Sequence, residues 1–370
     1  MTKKKISFVD LKQRFQEEKK DLMQIIENVL TNASLVLTPE LEKFEKNISK
    51  YTGSKYCIGL NSGTDALMMG LMCAGLKPGD EVITSPISFV ATTGAIAHLG
   101  AKPVFVDTSN DLNIDENKIE AAITKKTKVI VPVHWAGRVS NMPKIMEIAL
   151  RYNLKVVEDS AQSMGSYYDN KHGGTFGHSG CISFHPLKNL NALGDGGMLL
   201  TDDIEVYNKV TLFRNHGLES RDNCLEYGLN SRLDVLNAEV LNYRLEKLNE
   251  ITLVRRKNVN LYKELITAKE VFIPIDSSKQ NTSYVMCLAL CEKRDELKNF
   301  LNEKGIETLI YYATPLHLHK AATKFGYKKG DFPEAEKQAN QVLALPHHQH
   351  LTDEEIEYVA KSVNDFYKIK

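Results

Sequence analysis

The sequence lacks the features that would place it in a membrane, on nucleic acid or in an oxidising compartment. No apolar run in its 370 residues is long enough to span a bilayer, and the start, MTKKKISFVDLKQRF, has no apolar signal-peptide region. Lysine plus arginine and aspartate plus glutamate number 47 each, so no overall charge favours nucleic acid. The six cysteines form no CxxC pair and no His/Cys ligand spacing. We therefore predict a cytoplasmic protein with reduced thiols, no disulfide and no metal.

The sequence also lacks internal repeats, low-complexity linkers and a dinucleotide fingerprint. No GxGxxG follows the first predicted strand, and the GDGG segment at 194–197 comes after a lysine rather than at a strand-to-helix turn. The sequence therefore does not favour an unrelated nucleotide-binding α/β protein.

What the sequence does contain, between about residues 55 and 201, is an alternation of β-rich and helical patterns. Such alternation predicts an α/β fold with a mainly parallel seven-stranded sheet and helices on both faces. The predicted strands are 55–60, 81–84, 103–106, 128–134, 154–158, 180–184 and 197–201. Apolar residues at helical spacing predict helices over 64–75, 90–99, 115–123 and 142–152.

Near residue 240 the pattern changes to a long charged amphipathic stretch that ends at about 265. A strand over 284–290, a helix over 293–304 and a strand over 307–312 follow, and Thr352 is a plausible N-cap of a last helix. We therefore predict a large domain over 1–240, which includes an N-terminal helical segment, and a smaller C-terminal α+β domain over 241–370.

The segment LNSGTDALMMGL, residues 60–71, places a glycine between an apolar strand and a helix. Such a junction directs free backbone N–H groups and the positive end of the helix dipole at one point, which suits a phosphate. A simple tight turn is the alternative.

The segment VVEDSAQ, residues 156–162, ends a buried-looking strand in two acids. Groups at the carboxyl ends of strands line the ligand crevice of open α/β sheets. Asp159 could therefore face a bound cofactor and stabilise a protonated pyridine nitrogen. An aspartate that caps the next helix is an equally good interpretation of this segment alone.

The segment GCISFHPLKNLNALGDGGMLLT, residues 180–201, places Lys188 between an apolar strand and a loop rich in Asn, Asp and Gly. A lysine with a lowered pKa at such a junction can form a Schiff base, and Ser183 on the strand could bind a phosphate. A solvated loop lysine is the alternative.

Together, several motifs resemble the sugar aminotransferases often called the DegT/DnrJ/StrS family. They are GTDAL, EDSAQ, SFHPLKNLNALGDGG, RNHG, LNSRLDVLNAE, YYATPLHLH, FPEAE and LPHHQHLTDEE, in this order. The resemblance runs from about residue 5 to the C-terminus. It implies the type I fold of pyridoxal-phosphate-dependent transferases, with pyridoxal 5'-phosphate as cofactor and its pyridoxamine form as intermediate.

The resemblance also implies a role for each matching residue. Lys188 would be the covalent anchor, Asp159 would pair with the pyridine nitrogen, and Gln162 would lie near the 3'-oxygen of the cofactor. The phosphate ligands would be Gly63, Thr64 and Ser183, the ring would stack on Phe89, and Asn230 would reach the phosphate of the partner subunit's cofactor. Tyr312 and His317 match a region near the sugar site. His185 and Trp135 stand where the family often has other aromatic or aliphatic residues, so they either mark the substrate preference of this member or have no role in it. A turn residue is the alternative for Asn230, and a packing residue for His317.

By this resemblance, the protein is an aminotransferase that moves an amino group from L-glutamate to a keto sugar, and the expected acceptor is a nucleotide-linked sugar. The resemblance also implies a homodimer with shared active sites. The expected products are amino sugars for surface polysaccharides such as O-antigen. Whether C3 or C4 is aminated, and which nucleotide is the carrier, stays open. One alternative is a sugar dehydrase, but in those relatives a histidine replaces the lysine. Another is a non-catalytic regulatory protein that binds the cofactor.

Overall fold

The computed structural model describes residues 5–368, and its centre is a seven-stranded sheet. All seven predicted strands of the first part are present with small shifts at their ends. In chain order the strands of the described residues are β1 Tyr56–Leu60, β2 Glu81–Thr84, β3 Lys102–Phe105, β4 Thr127–Val131, β5 Lys155–Asp159, β6 Tyr167–Tyr168, β7 Lys171–His172, β8 Ser179–Ser183, β9 Gly197–Thr201, β10 Leu218–Ser220, β11 Asn223–Cys224, β12 Val271–Phe272, β13 Gln280–Asn281, β14 Cys287–Cys291 and β15 Val342–Leu345.

The strand order of the central sheet is β1-β9-β8-β5-β4-β2-β3. Strands β8, β5, β4, β2 and β3 pair in parallel, whereas β9 runs antiparallel to both of its neighbours. This confirms the prediction of a mainly parallel sheet. Because the parallel strands end at the same edge, the residues after β5 and β8 are brought together there.

Helices cover both faces of the sheet, as predicted. The helices of the described residues are α1 Leu11–Thr31, α2 Pro39–Thr52, α3 Gly63–Cys73, α4 Val90–His98, α5 Met142–Arg151, α6 Ile204–Phe213, α7 Val235–Leu265, α8 Arg294–Glu303, α9 Pro333–Gln341 and α10 Asp353–Lys368. Thr38 precedes Pro39 at the start of α2. Thr352 caps α10, since its hydroxyl accepts the N–H of Glu355 at 3.2 Å.

A smaller antiparallel sheet, β12-β14-β15, packs with α8, α10 and the C-terminal half of α7. Helix α7 passes through residue 240 without a break, and Ile6 pairs with Ile306 in the C-terminal part. The division into domains over 1–240 and 241–370 therefore stays a prediction.

Two predicted elements differ from the structure. Residues 115–123 form two short 3₁₀ turns rather than an α-helix, since Ile119 is the only fully buried apolar side chain that holds them. Residues 307–312 form no strand: Leu309 makes an isolated bridge to Ala344, after which the chain turns to a cavity. Between residues 5 and 368 no helix is both long and apolar enough to cross a bilayer.

Candidate active site

A cavity of about 370 Å³ opens at the carboxyl edge of the central sheet. Its size is within the range of small-molecule sites. It collects most of the predicted site residues. The residues that line it are Ser62, Gly63, Thr64, Leu67, Ser88, Phe89, Ala91, Val133, Asp159, Ala161, Gln162, Ser183, His185, Leu187, Lys188, Asp195, Gly196, Val285, Met286, Tyr311 and Tyr312.

Lys188 lies in the loop that follows β8, and this loop is fixed by hydrogen bonds. The Lys188 N–H donates to the His185 carbonyl at 2.8 Å, and the Asn189 side-chain amide donates to the Ser283 carbonyl at 3.0 Å. Loss of hydration lowers the pKa of the Lys188 amine to about 8, while the negative charge of Asp159 opposes that shift. The amine is therefore far more nucleophilic near neutral pH than that of an ordinary lysine.

Asp159 ends β5 and is buried, with its carboxylate held by two donors. The Ala161 N–H donates to Oδ1 at 3.2 Å, and the Thr92 hydroxyl donates to Oδ2 at 2.6 Å. The carboxylate thus faces the cavity from a fixed position. It does not act as the N-cap of an α-helix, because the chain after it forms turns.

Gln162 is oriented by the backbone of the segment after β4. Its side-chain carbonyl accepts the Ala136 N–H at 2.7 Å. That bond leaves the amide N–H₂ of this cavity residue as the group that can donate to a ligand oxygen.

The first turn of α3 forms a possible phosphate cradle with Ser183. The Ser62 hydroxyl accepts the Asp65 N–H at 3.1 Å, so the N–H groups of Gly63 and Thr64 are the ones left at the cavity. A Cβ on Gly63 would lie 2.8 Å from the Ser183 Cβ. Glycine is therefore required for the helix start to approach β8 this closely.

Aromatic side chains form one wall of the cavity. Phe89 leaves 52% of its surface exposed, although it is a large apolar side chain beside a cavity. Its ring centroid lies 6.2 Å from that of Tyr312, which in turn lies 5.7 Å from that of the buried Trp135. The exposed face of Phe89 is thus available to stack on a ring-shaped ligand.

Three of the candidate residues do not line this cavity, and one of them, Trp135, is buried against Tyr312. His317 is buried, where its Nε2 lies 3.1 Å from Glu336 and its ring packs against Phe332. Asn230 is exposed, and its side-chain carbonyl accepts the Arg232 Nε–H at 2.9 Å. The chain does not bring either residue to its own cavity, whereas His185 lies at the rim and lines it.

Sequence reasoning missed the pair Ser88 and Thr92 at the start of α4. The two hydroxyl oxygens lie 2.7 Å apart, and Thr92 contacts Asp159 directly. Their spacing of four residues across a helix start was a signal available in SPISFVATTG. Tyr311, Val285 and Met286 were also missed, because only the tertiary fold brings these C-terminal residues to the sheet edge.

Comparison with known proteins identifies the family. The description "DegT/DnrJ/EryC1/StrS aminotransferase family" matches residues 16–364. The chain is 39% identical over 367 residues to a "Pleiotropic regulatory protein" of Geobacillus stearothermophilus, with 98% of this chain and 99% of the relative covered. It is 36% identical to a dTDP-3-amino-3,6-dideoxy-alpha-D-galactopyranose transaminase of Aneurinibacillus thermoaerophilus (98% and 99% covered). It is 34% identical to a UDP-2-acetamido-2-deoxy-3-oxo-D-glucuronate aminotransferase of Pseudomonas aeruginosa (97% and 100% covered).

Solved structures of proteins similar to this chain have the same fold. Streptomyces venezuelae DesV, described in complex with a ketimine intermediate, superposes with a TM-score of 0.96 at 33% identity and 99% coverage of both chains. NtdA of Bacillus subtilis, described with bound cofactor PMP, gives a TM-score of 0.92 at 31% identity, with 98% of this chain and 85% of that chain covered.

Pyridoxal phosphate fits the residues of the cavity. An amine with a lowered pKa shares the cavity with a buried carboxylate, a helix that begins at a glycine adjoins a serine, and an exposed aromatic face lines the same cavity. These features match the aldehyde, pyridine nitrogen, phosphate and ring of that cofactor. The chain belongs to the DegT/DnrJ/EryC1/StrS aminotransferase family and is a pyridoxal-phosphate-dependent sugar aminotransferase.

Proposed function

We propose that this protein transfers an amino group from L-glutamate to C3 of a nucleotide-linked keto sugar. The observation that carries the proposal is the cavity in which Lys188 and Asp159 face each other. The choice of C3 rests on two relatives, whose names place the amino or oxo group at that carbon. The proposed products are amino sugars for polysaccharide synthesis, and the proposed location is the cytoplasm.

Each cavity residue has a proposed task. The cofactor, when bound, stores the amino group and withdraws electrons from the reacting carbon. Lys188 is the covalent anchor, and its amine, once released, moves a proton between the substrate carbon and the cofactor. Asp159 holds the charge of the ring nitrogen, Gln162 donates to the 3'-oxygen, and Phe89 stacks on the ring.

The remaining polar residues bind the phosphate and the sugar. Gly63, Thr64 and Ser183 would take the phosphate, because their N–H and hydroxyl groups lie together at the start of α3. Tyr312 and His185, which both line the cavity, are the proposed sugar contacts. His317 would act on the sugar site only through Glu336 or its aromatic neighbours.

We further propose a homodimer in which Asn230 binds the phosphate in the partner's cavity. Among the residues that line the cavity, Lys188 is the only lysine or arginine, so the chain supplies little positive charge of its own to bind anions. Asn230 follows a segment with exposed apolar side chains after β11, since Tyr227 is 95% and Leu225 57% exposed. Exposed apolar patches of this kind are typical of protein interfaces.

The family alternatives fit less well. A sugar dehydrase would carry a histidine in place of Lys188. A protein that only binds the cofactor would have no need for an amine of lowered pKa opposite a fixed carboxylate.

The test of substrate is a screen with the pyridoxamine phosphate form of the protein. UDP- and dTDP-linked 3-keto sugars, the corresponding 4-keto sugars and a free keto sugar are added separately, and the return of the aldehyde absorbance is followed. A nucleotide-linked 3-keto sugar is expected to restore the absorbance fastest. Faster reaction with a 4-keto or free sugar would overturn that part of the proposal.

The test of the shared site is complementation between two inactive variants. A Lys188→Ala chain is mixed with an Asn230→Asp chain, whose added negative charge should repel the phosphate. In a mixed dimer one of the two sites then combines an intact Lys188 with an intact Asn230, so random exchange should restore about a quarter of full activity. A monomeric protein, or activity no greater than the sum of the parents, would overturn the shared site.

A further inference from the structure

The start of helix α4 contains a chain of hydroxyl groups that ends on Asp159. Thr92 Oγ1 donates to Asp159 Oδ2 at 2.6 Å, and Ser88 Oγ lies 2.7 Å from Thr92 Oγ1. All three residues are buried, with exposed fractions of 4% for Ser88, 1% for Thr92 and 6% for Asp159.

The direction of these hydrogen bonds follows from the chemistry of the groups. An ionised carboxylate can only accept, so the single hydroxyl hydrogen of Thr92 is committed to Asp159. Ser88 must therefore donate to Thr92. Each bond polarises the next, so the donor that reaches the carboxylate is stronger than an isolated hydroxyl.

The same helix start also carries Phe89, which lines the cavity between Ser88 and Ala91. The Thr92 N–H donates to the Phe89 carbonyl at 3.3 Å, so the backbone that carries the aromatic ring and the hydroxyl that holds the carboxylate form one rigid unit. A change in Thr92 would thus act at Asp159 without a direct contact with substrate.

We infer that Thr92 is a positioning residue, which orients the Asp159 carboxylate towards the ring nitrogen of the cofactor and stabilises its negative charge. The inference rests on the proposed role of Asp159. Loss of the Thr92 hydroxyl leaves Asp159 with the Ala161 N–H as its remaining protein donor among the described residues. The carboxylate then holds the protonated ring nitrogen less well, and the half-reaction slows.

The test compares Thr92→Val, which keeps the shape and removes the hydroxyl, with Thr92→Ser, which keeps the hydroxyl. Thr93→Val is the matched control, because within residues 5–368 the Thr93 hydroxyl bonds only to the Val90 carbonyl of the same helix, at 3.2 Å. Two quantities are measured on the holoenzymes: the rate of the half-reaction with glutamate, and the ¹⁵N chemical shift of ring-labelled cofactor.

Thr92→Val is expected to slow the half-reaction by roughly 10- to 100-fold, the usual loss for a hydrogen bond to a charged group. The ¹⁵N signal should move towards the unprotonated position. Thr92→Ser and Thr93→Val should stay within about threefold of the wild type and keep its signal. In an Asp159→Asn background, Thr92→Val should add less than about twofold, because the group on which it acts is gone.

Two results separate failure of this inference from failure of the proposed function. If Asp159→Asn moves the ¹⁵N signal but Thr92→Val does not, Asp159 keeps its role and the inference about Thr92 is wrong. If Asp159→Asn itself leaves the signal unchanged, the proposed role of Asp159 is wrong and the inference falls with it. If Thr92→Val gives no folded holoenzyme, Thr92→Ala, which favours the helix, is measured with the same expected outcomes.

Discussion

Two of the regions in which this molecule buries ionisable groups are the cavity at the sheet edge and the loop over 346–350 that packs against helix α7. Loss of hydration is the first cause of a lowered pKa in both: to about 8 for Lys188 in the cavity, and to about 4 for His348 and about 9 for Arg255 at the loop. Lys188 and the carboxylate of Asp159 both line an open cavity, whereas Arg255 and His348 lie in closed packing. A shifted pKa therefore marks a functional site only where a cavity and a complementary group accompany it.

In the loop region, backbone carbonyl groups accept hydrogen bonds from the charged side chain of Arg255. Arg255 donates to the carbonyls of Tyr284 at 3.3 Å, Val285 at 3.2 Å and His347 at 3.4 Å. These contacts join α7 to the small sheet, so we expect this region to govern stability and the cavity to govern chemistry. Four substitutions test that contrast.

The largest effect is expected for Lys188→Ala. Removal of the amine abolishes covalent attachment and the proton carrier, so turnover should fall by about 10⁴-fold or more. The variant should still bind the cofactor non-covalently, and borohydride should no longer trap it on the protein. Lys125→Ala, at a solvent-exposed lysine, is the control and should behave as wild type. Normal turnover by Lys188→Ala would contradict the assignment.

The next effect is expected for Asp159→Asn, which keeps the size of the side chain and removes its charge. The half-reaction with glutamate should slow by roughly 10²- to 10³-fold, as for loss of one preorganised electrostatic contact. The variant should also change covalent capture of the cofactor by the apoenzyme. The wild-type capture rate should rise with pH to a midpoint near 8, where Lys188 loses its proton.

Electrostatics determine the direction in which Asp159→Asn should shift the pH midpoint of cofactor capture. The Asp159 charge raises the pKa of Lys188, so its removal should move the midpoint to lower pH. Stopped-flow measurement of imine formation across the pH range checks this. An unchanged midpoint together with a lowered melting temperature would identify Asp159 as a structural residue.

The strands and loops that form the cavity could be predicted from the sequence, because each depends on the pattern of apolar and polar residues within a short segment. Strand periodicity located β5 and β8, and parallel pairing then brought Asp159 and Lys188 to one edge. The Thr92 contact could not be predicted, because it joins two residues 67 positions apart through the packing of α4 on the sheet. His317 matched a motif, yet its side chain points into the cluster of Phe105 and Phe332, which only the fold reveals.

In the loop region, Arg255→Met should lower the free energy of unfolding by about 1–3 kcal/mol, because buried carbonyls lose a charged donor. Covalent capture of the cofactor should stay unchanged, and urea denaturation measures the loss. Lys257→Met is the matched control on the same helix, where the exposed pair of Lys257 with Asp353 should contribute less than about 1 kcal/mol. A lower free energy of unfolding in Lys257→Met but not in Arg255→Met would contradict the proposal that the loop region governs stability.

The smallest effect is expected for His348→Leu, measured as the dependence of stability on pH. Burial, followed by the positive charges of His350 in the same loop and Arg255 on α7, lowers the pKa of His348 from 6.5 to about 4. Asp10 before α1 and a hydrogen bond with the Ser7 backbone oppose the shift. Between pH 6.5 and about 4 this histidine therefore binds a proton in the unfolded chain but stays neutral in the folded chain, so the free energy of unfolding falls as the pH drops through that range.

Between about pH 7.5 and 5.5 this one histidine should lower the free energy of unfolding by about 1 kcal/mol. His348→Leu should remove that part of the loss, because leucine carries no group that can bind a proton. His172 and His347 are also buried with lowered pKa values, so a shallower dependence should remain. Urea denaturation at a series of pH values measures the slope, and a variant as acid-sensitive as the wild type would show that His348 is not among the groups that limit stability.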